Sequence, residues 1–140
     1  MVPLPEEARK LIDEPHLADL VTLMPDGSPQ VTPLWIDREG DILRVNTAEG
    51  RQKIRNMRRD PRVAVLVLDR SDGFRWMQVR GRVIDVIGGE EAWQHINLLA
   101  QKYMGRAYSG PNDGSRTILK IEPDHVSFAN GRGGMPQPRS

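Results

Sequence analysis

The densest chemistry in the chain lies in the segment Asn46-Thr47-Ala48-Glu49-Gly50-Arg51-Gln52-Lys53. An apolar run ends at Asn46, a small polar residue and a glycine follow, and Arg51 and Lys53 fall where a helix should begin. Open backbone N–H groups and the positive end of a helix dipole favour an anion at such a place. Arg51 would add a planar fork of donors and Lys53 a compact charge, both suited to phosphate. The G-x-x-x-x-G-K-[ST] spacing is absent, and no G-x-G-x-x-G turn leads into a helix. The segment reads as a phosphate site of another kind.

The distribution of charge supports that reading. The chain has a net charge of +1, yet the stretch from Arg51 to Arg82 holds ten Lys or Arg against three Asp. Positive charge gathered in one part of a chain points to an anionic partner there. A solvated basic helix face is the competing explanation. A nucleic-acid partner is not expected, because the segment lacks interleaved aromatics and the remainder is acidic.

Other chemistries are poorly served. Without cysteine, the chain has no disulfides, thiolate metal ligands or cysteine nucleophile. His16, His95 and His125 lie far apart and form no metal-binding spacing, so no metal site is expected. No apolar run approaches the ~18 residues of a membrane span. The first residues, MVPLPEEARKLIDEP, lack the basic and then apolar order of a signal peptide. A soluble, cytoplasmic protein is the expectation.

The elements that must position these residues are mostly strands. A short helix is predicted from Pro5 to Glu14, with Ala8, Leu11 and Ile12 on one face. Leu17–Met24 reads as a strand, Pro25-Asp26-Gly27-Ser28 as a turn, and Gln30–Ile36 as a second strand. Pro33 within it marks an edge or a bulge. Asp37–Asp41 closes a second hairpin to a strand over Ile42–Asn46, and a basic helix runs from Thr47 to Arg59 before Asp60-Pro61. Strands follow over Val63–Leu68 and Phe74–Val86, the latter with a bend expected at Gly81. Glu90–Met104 is the clearest helix, with Ala92, Trp93, Ile96, Leu99, Ala100 and Tyr103 on its apolar stripe. A loop spans 105–114, and two strands, Thr117–Ile121 and Val126–Phe128, are separated by Glu122-Pro123-Asp124. The pattern predicts a mainly β, antiparallel barrel of six or seven strands, with helices outside it. One domain over residues 1–130 and a flexible tail over 131–140 complete the expectation.

With these elements in order, the chain resembles the pyridoxamine 5'-phosphate oxidase-like superfamily of FMN-binding split β-barrels. Within it, the resemblance is to the oxidoreductases that use the deazaflavin coenzyme F420. Three blocks carry it: Leu23 to Trp35, Asn46 to Val63, and Trp76 to Val83, the last reading Trp-Met-Gln-Val-Arg-Gly-Arg-Val. The resemblance implies a homodimer with a cofactor in each cleft between subunits. Arg51 and Lys53 would grip the cofactor phosphate, Val31, Thr32, Pro33 and Trp35 would line the ring, and Asn46 and Thr47 would flank the ribityl chain. Arg55 and Arg59 would meet an acidic tail, and the strand with Trp76, Gln78 and Arg80 would come in part from the partner.

The implied activity is hydride transfer between coenzyme F420 and a small conjugated organic substrate, with the reactivity supplied by the cofactor. No dedicated acid is evident; Tyr103, Tyr108 and Arg80 are the candidates, with Tyr103 better suited to its helix's apolar stripe. Trp35 is either core or ring wall, and Lys102 and Arg106 read as solvated. An FMN-dependent relative of the same fold is the main alternative. A non-catalytic protein that binds a flavin, a deazaflavin or haem is a further one.

Overall fold

The computed structural model describes residues 1–131. Helix α1 (Glu6–Asp13) leads into β1 (Ala18–Leu23), β2 (Pro29–Leu34), β3 (Ile36–Glu39) and β4 (Ile42–Ala48). Helix α2 (Gln52–Arg59), β5 (Arg62–Leu68), β6 (Arg75–Ile87), α3 (Gly89–Met104) and β7 (Arg116–Asn130) follow. The strands form a single antiparallel sheet in the order β2-β1-β5-β6-β7-β4-β3, curled into a split barrel. The mainly β fold and the seven-strand count agree with expectation. The tail expected beyond Gly131 lies outside the described residues. No helix among the described residues is long and apolar enough to cross a membrane.

Three local differences from the sequence reading matter for the site. The strand expected over Gln30–Ile36 breaks at Trp35. The chain leaves β2 at one edge of the sheet and re-enters as β3 at the other. Leu34-Trp35-Ile36 is an unbroken apolar run without a turn residue, so a local pattern could not show the crossing. The basic helix begins at Gln52, because Thr47 and Ala48 remain paired to Thr117 and Arg116 in the sheet. Gly50, at φ 86°, makes the turn between sheet and helix.

The third difference is β7, which runs unbroken through Glu122-Pro123-Asp124. Pro123 sits opposite Gly81, beside a register shift between Arg80 and Gly81. The bend expected at Gly81 is therefore a bulge shared by two strands.

The core inside the curl is aliphatic, with Leu20, Ile36, Leu43, Val65, Met77 and Leu119 at 1% exposure or less. Ala8, Leu11 and Ile12 of α1 close one part of it. Helix α3 lies against β7 and β4. It buries Ala92, Ile96, Leu99 and Ala100, and with them His95, which the apolar stripe had left out. Trp93, expected within that stripe, is only partly covered.

Candidate cofactor-binding site

A cavity of about 390 Å³ opens where the β2–β3 crossing, the end of β4, the start of α2 and the loop before β7 meet. This is within the ordinary range for a small-molecule site. Pro33, Leu34 and Trp35 come from the crossing, Asn46 and Thr47 from β4, and Arg51 and Lys53 from α2. Leu17, Ile96, Tyr108 and Arg116 complete the lining.

Positive charge without a counter-ion marks this cavity. Elsewhere in the basic segment most cations are engaged, the exposed Arg70 and Arg80 excepted. Arg58 pairs with Glu49 at 2.9 Å, Arg62 with Asp60 at 2.7 Å, and Arg75 with both Glu14 and Asp69. Arg82 reaches Asp124 at 3.3 Å. The side chains of Arg51 and Lys53 have no hydrogen bond or ion pair among the described residues. Lys53 is only 7% exposed. Burial, with Arg51 and Arg116 nearby, pushes its ammonium below the usual lysine range.

Thr47, 3% exposed, presents a buried hydroxyl with no partner among the described residues. Arg51 stands at the N-cap of α2 with no side-chain cap, so the Gln52 and Lys53 N–H groups stay open, while the Ile54 N–H bonds Arg51 O. A buried cation, an unpaired hydroxyl and an uncapped helix start at one cavity are groups that could hold an anion.

Two walls are aromatic. The Trp35 indole stacks on Tyr103 at 5.3 Å between centroids. It therefore serves as cavity wall and as packing at once. Tyr108 meets Trp93 edge-on at 5.8 Å and lies 5.3 Å from the Arg116 guanidinium. Its ring rests against Gly110, where a Cβ would overlap it.

Of the thirteen residues singled out in the sequence, Pro33, Trp35, Asn46, Thr47, Arg51 and Lys53 meet at this cavity. Thr32 faces the other side of β2 from Pro33, with its hydroxyl also buried and unpaired. Val31 is 59% exposed on the outer face of the sheet. Arg55 is held by Gly50 O and Gln52, and Arg59 by Leu23 O and Asn56. Trp76, Gln78 and Arg80 lie on β6, away from the cavity within one protomer. Arg80 instead borders a second depression with Arg62 and His125.

Among the proton-donor candidates, Tyr103 is committed to the fold. Its hydroxyl donates to His16 O at 2.6 Å and accepts from Ile36 N–H at 3.2 Å. Lys102, expected in solvent, donates to Ile12 O and Ile36 O instead. Tyr108, a proton-donor candidate, does line the cavity, whereas Arg116 is a polar lining residue that sequence reasoning missed. Arg116 reaches the site because it pairs with Ala48 across β4 and β7, a register that no local motif displays.

A cluster of Glu14, His16 and Asp69 brings possible metal ligands within 4.8 Å of one another. Its groups are already engaged. His16 bonds Glu14 through Nε2 and accepts the Arg70 N–H at Nδ1, while Arg75 bridges the carboxylates.

Comparison with known proteins places this geometry. An F420 reductase of known structure aligns over 89% of this chain and 98% of its own, with 33% identity and a TM-score of 0.80. The F420H(2)-dependent biliverdin reductase of Mycobacterium tuberculosis is 38% identical over 81 residues, which is 56% of this chain. The match spans 57% of that relative's length. The general stress protein 26 of Bacillus anthracis shares the fold at 21% identity, with a TM-score of 0.70 over 91% of this chain and 94% of its own. A family model described as pyridoxamine 5'-phosphate oxidase matches residues 4–130, and the chain belongs to that family.

Proposed function

We propose that this chain is an oxidoreductase that binds coenzyme F420 and exchanges hydride with a small conjugated organic substrate. The carrying observation is the buried Lys53 ammonium beside the unpaired Thr47 hydroxyl, with Arg51 at the same cavity. These groups fit a phosphate. Lys53 and Arg51 would neutralise it, and Thr47 and the open first turn of α2 would donate to it. Pro33 and Trp35 would hold the planar ring, covering it from water. When bound, the cofactor supplies the hydride, and the chain's task is to bind, orient and shield. Tyr108, whose ring borders the cavity, is the side chain offered for proton delivery. The likeness to an F420 reductase over nearly the whole chain supports this choice of cofactor.

FMN presents a terminal phosphate that the same cations could hold, and the family's description leaves that reading open. Titrating both cofactors into the protein and following fluorescence separates them.

The working unit we propose is a homodimer. The outer face of the sheet exposes Val31 at 59%, Leu66 at 38% and Leu68 at 44%. Strand register places Pro33, Asp19, Leu66, Gln78 and Ser127 in one row across that face. This row begins at the cavity with Pro33, crosses β6 at Gln78 and ends on β7 at Ser127. A second copy seated there would bring Trp76, Gln78 and Arg80 toward its partner's cavity. Light scattering at micromolar concentration should show twice the chain mass; a monomer with full cofactor affinity would contradict the assembly.

A further inference from the structure

Asn46 has no free polar atom to offer a ligand. Its Oδ1 accepts from Arg116 Nε at 2.9 Å, and its Nδ2 donates to Ala92 O at 3.0 Å. The same Nδ2 lies 3.1 Å from His95 Nδ1. His95 Nε2 in turn lies 2.8 Å from Asp37 Oδ1, and Asp37 is held by Arg44 through both oxygens, at 3.0 and 2.7 Å. His95 is 2% and Asn46 5% exposed. The chain Arg44–Asp37–His95–Asn46–Arg116 thus runs from the sheet edge, through the interior, to the cavity wall.

The direction of every bond in this chain is determined. A guanidinium only donates, so the Asn46 atom facing Arg116 must be the oxygen. The Asn46 amino group then faces His95, whose Nδ1 must accept, which leaves the ring proton on Nε2 to be donated to Asp37. Burial alone would raise the Asp37 carboxyl, but the bonds from His95 and Arg44 hold it below the usual carboxylate range. It is therefore the ionised acceptor that this arrangement needs. Reversing Asn46 would set donor against donor at Arg116 and leave Ala92 O without its amide.

Arg116 is itself unusual. It lies within 4 Å of no carboxylate among the described residues, and burial lowers its pKa from the usual arginine value. Its Nε is taken by Asn46 and the Tyr108 phenol lies against the guanidinium, which leaves terminal N–H donors to face the cavity. A long side chain fixed at Nε has already lost much of the rotamer freedom that ligand binding would otherwise cost.

We propose that Arg116 is the third cation of the anion site and that His95, acting through Asn46, is the positioning residue that aims it. The proposal rests on the cofactor-phosphate reading of the cavity and assigns Asn46 an indirect part in it.

The test is a set of coenzyme F420 dissociation constants, each read with the melting temperature of the same variant. Arg116→Ala should bind F420 about tenfold to a hundredfold more weakly, the scale of one charge-assisted hydrogen bond. His95→Leu should weaken binding by severalfold, and the double variant should be no weaker than Arg116→Ala alone. His95→Asn keeps a carboxamide oxygen near the Nδ1 position and should restore near-normal affinity. Additive effects in the double variant, or equal losses in His95→Leu and His95→Asn, would overturn the positioning role.

Lys53→Met separates the two readings. If it loses affinity while Arg116→Ala does not, the phosphate site stands and the third cation falls. If neither loses affinity, the site reading itself fails. Should His95→Leu not fold, ¹⁵N NMR of His95 in the wild-type protein decides the positioning step. An unprotonated Nδ1 supports it, and a protonated Nδ1 overturns it.

Discussion

The indole of Trp35 and the phenol of Tyr103 lie 5.3 Å apart and only 7° from parallel, pinning the crossing between the two edges of the sheet to α3. The Tyr103 hydroxyl adds bonds to His16 O and Ile36 N–H on either side of that stack. Tyr103→Phe would keep the stack and leave the Ile36 N–H without its acceptor. The expected cost is about 1–3 kcal/mol of folding stability, measured by urea denaturation. An unchanged midpoint would show that the hydroxyl does not hold the crossing.

Gly81 is required by its neighbour across the sheet. A Cβ there would collide with the Glu122 carbonyl oxygen, which is backbone and cannot swing aside. Gly81→Ala should destabilise the fold by roughly 2–4 kcal/mol, the range of an overpacked or strained site. Gly73→Ala is the control: nothing lies within 4 Å of the position its Cβ would take. Comparable melting temperatures for the two variants would remove the bulge argument.

Much of this architecture was legible in the residues, because hairpin turns and helical stripes are local signals. Ala8, Leu11 and Ile12 face the core as their spacing implied, and the Asn46 to Lys53 segment borders the cavity. Register was not legible. It decides that Trp35 marks a crossing, that Pro123 lies inside a continuous strand and that Arg116 stands beside Ala48. Nor did apolar periodicity reveal His95, whose burial depends on Asp37 and Asn46, 58 and 49 residues away.

Burial also revises the stability expected of Lys53 variants. A lysine at a solvated helix start could be removed without consequence, but Lys53 is buried, beside two other cations and without a counter-ion among the described residues. Lys53→Met should therefore raise folding stability, by about 1 kcal/mol, while it weakens cofactor binding. A fall in melting temperature would mean that the ammonium is satisfied within the protein.

Lys102 gives the fold a dependence on alkaline pH. Burial lowers its pKa from 10.5 to about 8, against the pull of Asp37 and Asp13. Between those values the unfolded chain binds more protons than the folded one, so stability rises with pH across that window. Tyr103, raised by burial to about 12 from 10.0, acts with the opposite sign only above pH 10. Melting temperatures at pH 8 and pH 9.5 should therefore increase, and Lys102→Met should flatten the increase. An equal slope in the variant would assign it to other groups.

We propose that the cavity holds the phosphate of coenzyme F420 through Lys53 and Arg51. The most direct measurement is fluorescence titration of F420 and FMN into wild type, Lys53→Met, Arg51→Ala and Arg58→Ala. Arg58 pairs with Glu49 at the surface and serves as the control. Wild-type protein should bind F420 more tightly than FMN. Lys53→Met and Arg51→Ala should each weaken F420 about tenfold to a hundredfold, with Arg58→Ala close to wild type. Equal F420 affinity in all four proteins, or no F420 binding by wild type, would contradict it.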